Sequence, residues 1–149
     1  MWKRKPAEME MRTLGPEDAD VACALYLELT ASGRVAPPDH FAQVLAHPGT
    51  TVCGAFTGAT IAGMATLHIT PNMTYGGQPY ALIENVVTAR SHRGQGVGRA
   101  VLTYLIETAW AADAYKIMLL TGTARGALGF YRKVGFDDSD KHGMVLRRP

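Results

Sequence analysis

Thr88-Ala89-Arg90-Ser91-His92-Arg93-Gly94-Gln95-Gly96-Val97-Gly98-Arg99-Ala100-Val101-Leu102 is the stretch on which the reading of this chain turns. Before it, residues 80–88 form an almost unbroken apolar run, interrupted by Glu84 and Asn85, and read as a strand. After it, Val101, Leu102, Leu105, Ile106, Ala109 and Trp110 recur at helical spacing, the strongest amphipathic pattern in the chain. The glycines therefore join a strand to a helix start. Glycine removes the Cβ that would hold backbone N–H groups away from a bound phosphate. The first N–H groups of a helix lack intrahelical partners, and the helix dipole adds partial positive charge there. A pyrophosphate is the natural guest. Arg90, His92, Arg93 and Arg99 crowd basic groups at the same place, and arginine suits phosphate geometry.

The plain alternative is a flexible glycine loop with solvated arginines, but three glycines alternating within five residues weigh against it. Two other phosphate loops fit worse. A Walker loop ends in Gly-Lys-Ser/Thr, where this chain has Gly98-Arg99-Ala100. A dinucleotide fingerprint needs GxGxxG after the first strand of a parallel unit, whereas Gly94, Gly96 and Gly98 are spaced by two and come late.

Working outward, residues 9–14 read as a short strand. Gly15-Pro16-Glu17-Asp18 reads as a helix start, followed by an apolar face of Val21, Leu25 and Leu29. A second short helix follows Pro37-Pro38-Asp39, with Phe41, Val44 and Leu45 inward, and His47-Pro48-Gly49 stops it. Residues 50–56 and 61–69 suggest an antiparallel hairpin, with Ile61, Ala65, Leu67 and Ile69 sharing one face. Residues 71–79 form a loop, 116–120 a strand, 124–134 a last helix ended by Gly135, and 144–146 a terminal strand. Trp110 and the pair Leu105–Ile106 read as core, and Arg147 and Arg148 as a solvated tail. The order is β-α-α-β-β-β-α-β-α-β, a mixed α/β domain over residues 1–149 with 1–8 as a loose tail.

The 149 residues fit one domain with a real core, and 47% hydrophobic with 19% charged residues is a globular composition. A net charge of +2 gives no basis for nucleic-acid binding, so any anion site must come from local placement. No run approaches the ~20 apolar residues of a membrane span, and no signal-type stretch follows the basic N-terminus, so a cytoplasmic protein is expected. Cys23 and Cys53 read as free thiols, with a Cys23–Cys53 disulfide the other arrangement the sequence allows. No His/Cys cluster has zinc spacing, and no metal is expected.

Arg-x-x-Gly-x-Gly between a strand and a helix resembles the acetyl-CoA signature of the GNAT family of N-acetyltransferases. Ile83-Glu84-Asn85-Val86-Val87-Thr88 is similar to that family's central strand, and Gly129-Phe130-Tyr131-Arg132-Lys133-Val134-Gly135-Phe136 to its later FYxKxGF segment. Three matches in the right order are more specific than any one, and the order of elements also agrees. Residues 1–80 agree by that order alone. The resemblance implies the acyl-CoA N-acyltransferase fold: a mixed, mostly antiparallel sheet with helices on both faces.

It also implies chemistry. Acetyl-CoA would be the co-substrate, with no metal. Its pyrophosphate would rest on Arg93, Gly94, Gln95, Gly96, Val97, Gly98 and Arg99, mainly through backbone N–H groups. The pantetheine arm would lie along Val86, Val87 and Thr88 like an added strand, where the next parallel strand splays away. A backbone N–H there, such as that of Val87, would polarise the thioester carbonyl. A neutral amine would attack directly, and Tyr131 would protonate the leaving thiolate, against the alternative of a core aromatic with a bonded hydroxyl. Glu84 is the candidate base, directly or through water, against a solvated or Arg-paired carboxylate. Strand alternation would put Asn85 on the opposite face. His68 is an alternative base but reads as a sheet-surface histidine, and Tyr75 either lines an acceptor pocket or packs on the surface.

Two departures from the family pattern stand out. Thr121-Gly122-Thr123-Ala124-Arg125 lacks the Asn that many relatives carry before the Phe-Tyr pair, which puts one side-chain contact to the cofactor arm in doubt. Arg90 stands where a stiffening Pro is common. The acceptor implied is a small-molecule primary amine, and Ile83-Glu84-Asn85-Val86-Val87 is similar to the amino-sugar-phosphate acetyltransferases of the family. A protein or peptide amine, or a non-catalytic acyl-CoA-binding module, are the competing readings. Relatives also suggest a homodimer.

Overall fold

A computed structural model describes residues 8–149. The loose tail expected over residues 1–8 lies, except for the exposed Glu8, outside the described residues. By its contacts the chain divides after Met118 into two compact units.

The first unit is built on a sheet of β1 (Met9–Thr13), β2 (Thr50–Thr57), β3 (Thr60–Thr70), β4 (Tyr80–Thr88) and β5 (Lys116–Leu119), ordered β1-β2-β3-β4-β5. Pairing from β1 through β4 is antiparallel. Between β1 and β2 run α1 (Ala19–Leu29) and α2 (Phe41–Ala46), each led in by a 3₁₀ turn that begins with proline, whose fixed φ and missing N–H suit a first turn. Between β4 and β5 lies α3 (Val97–Ala111).

Helices cover both faces, and adjacent residues of β2 show it. Val52 belongs to a cluster with Leu25 and Phe41 of α1 and α2, while Cys53 donates its thiol hydrogen to the Val101 carbonyl of α3 at 3.8 Å. A strand covered on both sides should bury consecutive residues. β3 does: Ile61 through Leu67 are all buried. Gly63 is the closest point of approach. A Cβ there would lie 2.6 Å from Val97 Cγ1 and 2.9 Å from the Val87 carbonyl oxygen, so its absence lets the start of α3 sit against β3. α3 buries Val97, Val101, Leu102, Leu105 and Ala109, each larger side chain contributing about 1.5–3 kcal/mol.

Several expectations are corrected. The alternation over 61–69 does not define one face, because the β2–β3 register slips: Ala55 pairs with Gly63 and Phe56 with Ile61, leaving Ala62 as an extra residue. Ile61 therefore joins Phe56 and Met64 under α1 and α2, whereas Ala65 pairs with Cys53 on the α3 side. The inner face of α1 is Ala22, Leu25, Tyr26 and Leu29, and Val21 is exposed. Trp110 is not core. It is 52% exposed next to buried Ala109, one position past the inward stripe.

At the foot of α1, Asp18 is buried and accepts two guanidinium bonds from Arg12, both 2.8 Å, and the Gly15 N–H at 2.8 Å. Arg12 also lies 4.1 Å over the Phe56 ring. These bonds, the guanidinium first, hold the Asp18 carboxyl below its ordinary range. The two cysteines are free. Burial pushes the Cys53 thiol up to about 12.

The second unit, Leu119–Pro149, contains α4 (Leu128–Val134). The helix expected over 124–134 is split: a 3₁₀ turn spans Thr123–Arg125, and Gly126 at φ +65° breaks it from α4. Gly135 at φ +118° ends α4, its N–H donating to the Arg132 and Tyr131 carbonyls. The terminal strand expected at 144–146 is absent. Met144, Val145 and Leu146 lie exposed without regular pairing, three apolar residues being too few to stand as a strand without a partner.

Candidate active site

The glycine segment adopts the form its sequence suggests. A 3₁₀ turn over Arg90–His92 leads into Gly94 at φ +73° and Gly96 at φ +81°, and α3 begins directly after Gly96. Both angles are left-handed, where glycine alone pays no steric cost. A Cβ at either position would meet no atom within 4 Å, so these glycines serve backbone shape and open space rather than internal packing. No side chain caps the helix and no acidic residue lies in its first turn. Its leading N–H groups are thus left for an external acceptor.

Arg90, Arg93 and Arg99 flank this start in sequence and are exposed. None forms an ion pair among the described residues. Arg93 Nε makes one long bond, 3.5 Å, to the Thr88 carbonyl. His92 is different. Its Nδ1 lies 2.8 Å from Ser91 Oγ and its Nε2 3.3 Å from Thr57 Oγ1, so it ties the loop to β2. The Gln95 amide likewise donates to the Ser91 carbonyl at 3.3 Å, and the Arg90 backbone N–H to Glu28 Oε2 at 2.9 Å.

Upstream, β4 carries a bulge. Thr66 pairs with Glu84 and Met64 with Val87, so β4 holds one residue more than β3 across that step. Asn85 takes φ +54° there, a conformation asparagine tolerates better than most residues. Glu84 and Asn85 are consequently both exposed, and the simple alternation expected of them is broken. Val87 is buried against Met64, while Val86 and Thr88 are half-buried.

On the α1 and α2 side of the sheet lies a cavity of about 490 Å³ that the sequence did not announce. Cys23 and Tyr26 of α1, Arg34 and His40 of the connection to α2, His68 of β3 and Asn85 of β4 line parts of it. Burial raises the Tyr26 phenol above its ordinary value, partly offset by its hydrogen bond with Thr66. His68 is half-buried on the surface of the sheet, with Nδ1 2.8 Å from Thr50 Oγ1. Thr50 Oγ1 also lies 3.1 Å from His47 Nδ1. Tyr75 does not line this cavity. It is 67% exposed and stacks on Tyr115 with ring centroids 4.0 Å apart.

In the second unit, Tyr131 is half-buried in α4, its ring 5.1 Å from that of Phe130 and 6.1 Å from that of Phe136. Burial raises its phenol above the ordinary value, against a smaller opposing effect of Arg125. Its neighbour Arg132 makes a two-pronged ion pair with Asp138, at 2.9 and 2.7 Å. Among the described residues no cluster of three His, Cys, Asp or Glu side chains is placed to hold a metal ion. No helix among them is long and apolar enough to cross a membrane.

Comparison with known proteins fixes the family. The model of the acetyltransferase (GNAT) family matches residues 19–136. The chain belongs to the GNAT family. It is 33% identical over 138 residues to the glucosamine 6-phosphate N-acetyltransferase of Trypanosoma brucei brucei, covering 87% of this chain and 89% of that relative. A solved structure from Agrobacterium tumefaciens superposes with a TM-score of 0.87 at 40% identity, over 93% of this chain and 99% of that one. An acetyltransferase of Trypanosoma brucei superposes at 0.80 with 28% identity, over 95% and 99%. The chain is an N-acetyltransferase with the acyl-CoA N-acyltransferase fold, and enzymes of the GNAT family use acetyl-CoA as co-substrate.

Proposed function

We propose that this GNAT enzyme transfers the acetyl group of acetyl-CoA directly to the primary amine of a small molecule. The observation that carries the co-substrate assignment is the start of α3: Gly96 at φ +81°, no side-chain cap, no first-turn acid, and the exposed Arg90, Arg93 and Arg99 flanking it in sequence. Backbone N–H groups from Gly94 to Arg99 bind the pyrophosphate. Val86, Val87 and Thr88 hold the pantetheine arm by backbone hydrogen bonds, and the Val87 N–H polarises the thioester carbonyl.

Glu84, directly or through one water, removes a proton from the ammonium, and the freed nitrogen bonds to the acetyl carbon as the carbon–sulfur bond breaks. Nitrogen sheds its second proton to solvent. Tyr131 gives the thiolate a proton and regains one from solvent. Its raised pKa keeps the phenol protonated at neutral pH, as an acid needs.

The named relative makes glucosamine 6-phosphate the first acceptor to try. The enzyme is incubated with acetyl-CoA and separate amines: glucosamine 6-phosphate, glucosamine, spermidine and a lysine-containing peptide. Free thiol should appear with a small amine well above the hydrolysis background. Release with the peptide alone would move the assignment to a protein acetyltransferase. Tight acetyl-CoA binding with no transfer to any amine would leave a binding module.

A further inference from the structure

The lining of the 490 Å³ cavity is one-sided in charge. Arg34 supplies its formal charge, His40 and His68 add ring nitrogens, and among the described residues no carboxylate lines it. Asp20 and Asp39, acids on the same elements, are exposed and do not line it. Arg34 has no ion-pair partner among the described residues. The Nδ1 of His68 is committed to Thr50, which leaves its Nε2 for another partner. Leu29, Phe41 and Val44 add apolar lining. The volume lies in the range of small-molecule sites, where an apolar wall and a few placed polar groups fix orientation. Asn85 joins the cavity to the bulge of β4, beside Glu84.

We propose that this cavity takes an acceptor whose amine lies at the Glu84–Asn85 bulge and whose other end is an anionic group, a phosphate or a carboxylate, held by Arg34 with His40 and His68. The inference rests on the proposed acetyl transfer at β4 and names the class of its substrate. A guanidinium grips either anion with two parallel bonds, and its charge repels polyamines. Arg34 is thereby a specificity-determining residue.

The test compares kcat/KM for glucosamine 6-phosphate, unphosphorylated glucosamine, glutamate and spermidine, in the full chain and in Arg34→Gln and Arg34→Lys. The expected order places an anionic amine first and spermidine last; whether the phosphate or the carboxylate leads identifies the anion. Arg34→Gln should cut the preference for the sugar phosphate over the plain sugar about 10- to 150-fold, through KM, which is the worth of a hydrogen bond to a charged group. Arg34→Lys should restore part of it.

A second readout needs no turnover. Cys23 lines the cavity, whereas Cys53 has no exposed surface, so maleimide labelling followed by mass spectrometry reports Cys23. Glucosamine 6-phosphate should slow that labelling in the parent enzyme and not in Arg34→Gln. Protection without acetyl transfer would support the anionic ligand and defeat the transfer mechanism. Equal rates for all four amines, or an unchanged preference in Arg34→Gln, or no protection of Cys23, would overturn the inference.

Discussion

Replacing Gly96 by alanine separates backbone strain from ligand binding, because the hairpin turn at Gly58 supplies a matched control. Gly96 lies at φ +81° and Gly58 at φ +62°, and a Cβ at either would meet nothing within 4 Å. Each substitution should therefore cost only the left-handed penalty, about 1–2 kcal/mol. For a chain of this size that lowers Tm by about 2–8 °C in both variants. Gly58 lies in the turn between β2 and β3, outside the segment Gly94–Arg99 proposed to bind the pyrophosphate. At Gly96, the residue just before α3, the added methyl enters open space at the proposed pyrophosphate site. Losing one hydrogen bond to a charged phosphate costs about 1.5–3 kcal/mol. Acetyl-CoA should then bind about 10- to 150-fold more weakly to Gly96→Ala. Thermal scanning fluorimetry gives the first quantity and titration calorimetry with acetyl-CoA the second. Equal acetyl-CoA affinity in the two variants would refute the assignment of this loop to the pyrophosphate.

Three further outcomes follow from particular contacts. Tyr131→Phe should lower kcat about 100-fold or more while acetyl-CoA affinity stays near that of the parent, as judged by steady-state kinetics and calorimetry. Gly63→Val should destabilise the protein by about 1–3 kcal/mol in urea unfolding, since the Val97 side chain can shift but the Val87 carbonyl cannot. Asp18→Asn should cost about 1–3 kcal/mol near neutral pH, through the lost bonds from Arg12 and Gly15. Because the Asp18 pKa is depressed by folding, its contribution is present above the ordinary carboxyl value and disappears as pH falls through the lower folded value. The parent should therefore lose stability more steeply below about pH 4 than Asp18→Asn does.

The sequence was legible where one physical pattern ruled. Strand β4 begins and ends where its apolar run does, and the glycines before α3 take the left-handed angles that a helix start open to anions requires. It was misread where two patterns compete. Bulges shift the alternation at Ala62 and Asn85, and nothing but the tolerance of asparagine for positive φ hints at the second. A helix stripe read at four-residue spacing also drifts from the true face, which put Val21 inside when Ala22 holds that place. The helix expected over 124–134 ran across Gly126, which instead breaks it. Which residues line the cavity beside α1 and α2 could not be read from the sequence. Arg34 and His40 lie in a connection without periodicity, and only the fold brings them to His68 and Asn85.

The most direct test of the account is stoichiometric. Coenzyme A thiol and N-acetylated amine are measured together during turnover of acetyl-CoA with glucosamine 6-phosphate. Direct transfer predicts that the two products rise in equal amounts and that both vanish when the amine is left out. Thiol released without acetylated amine, or neither product above background with any of the small amines, would contradict it.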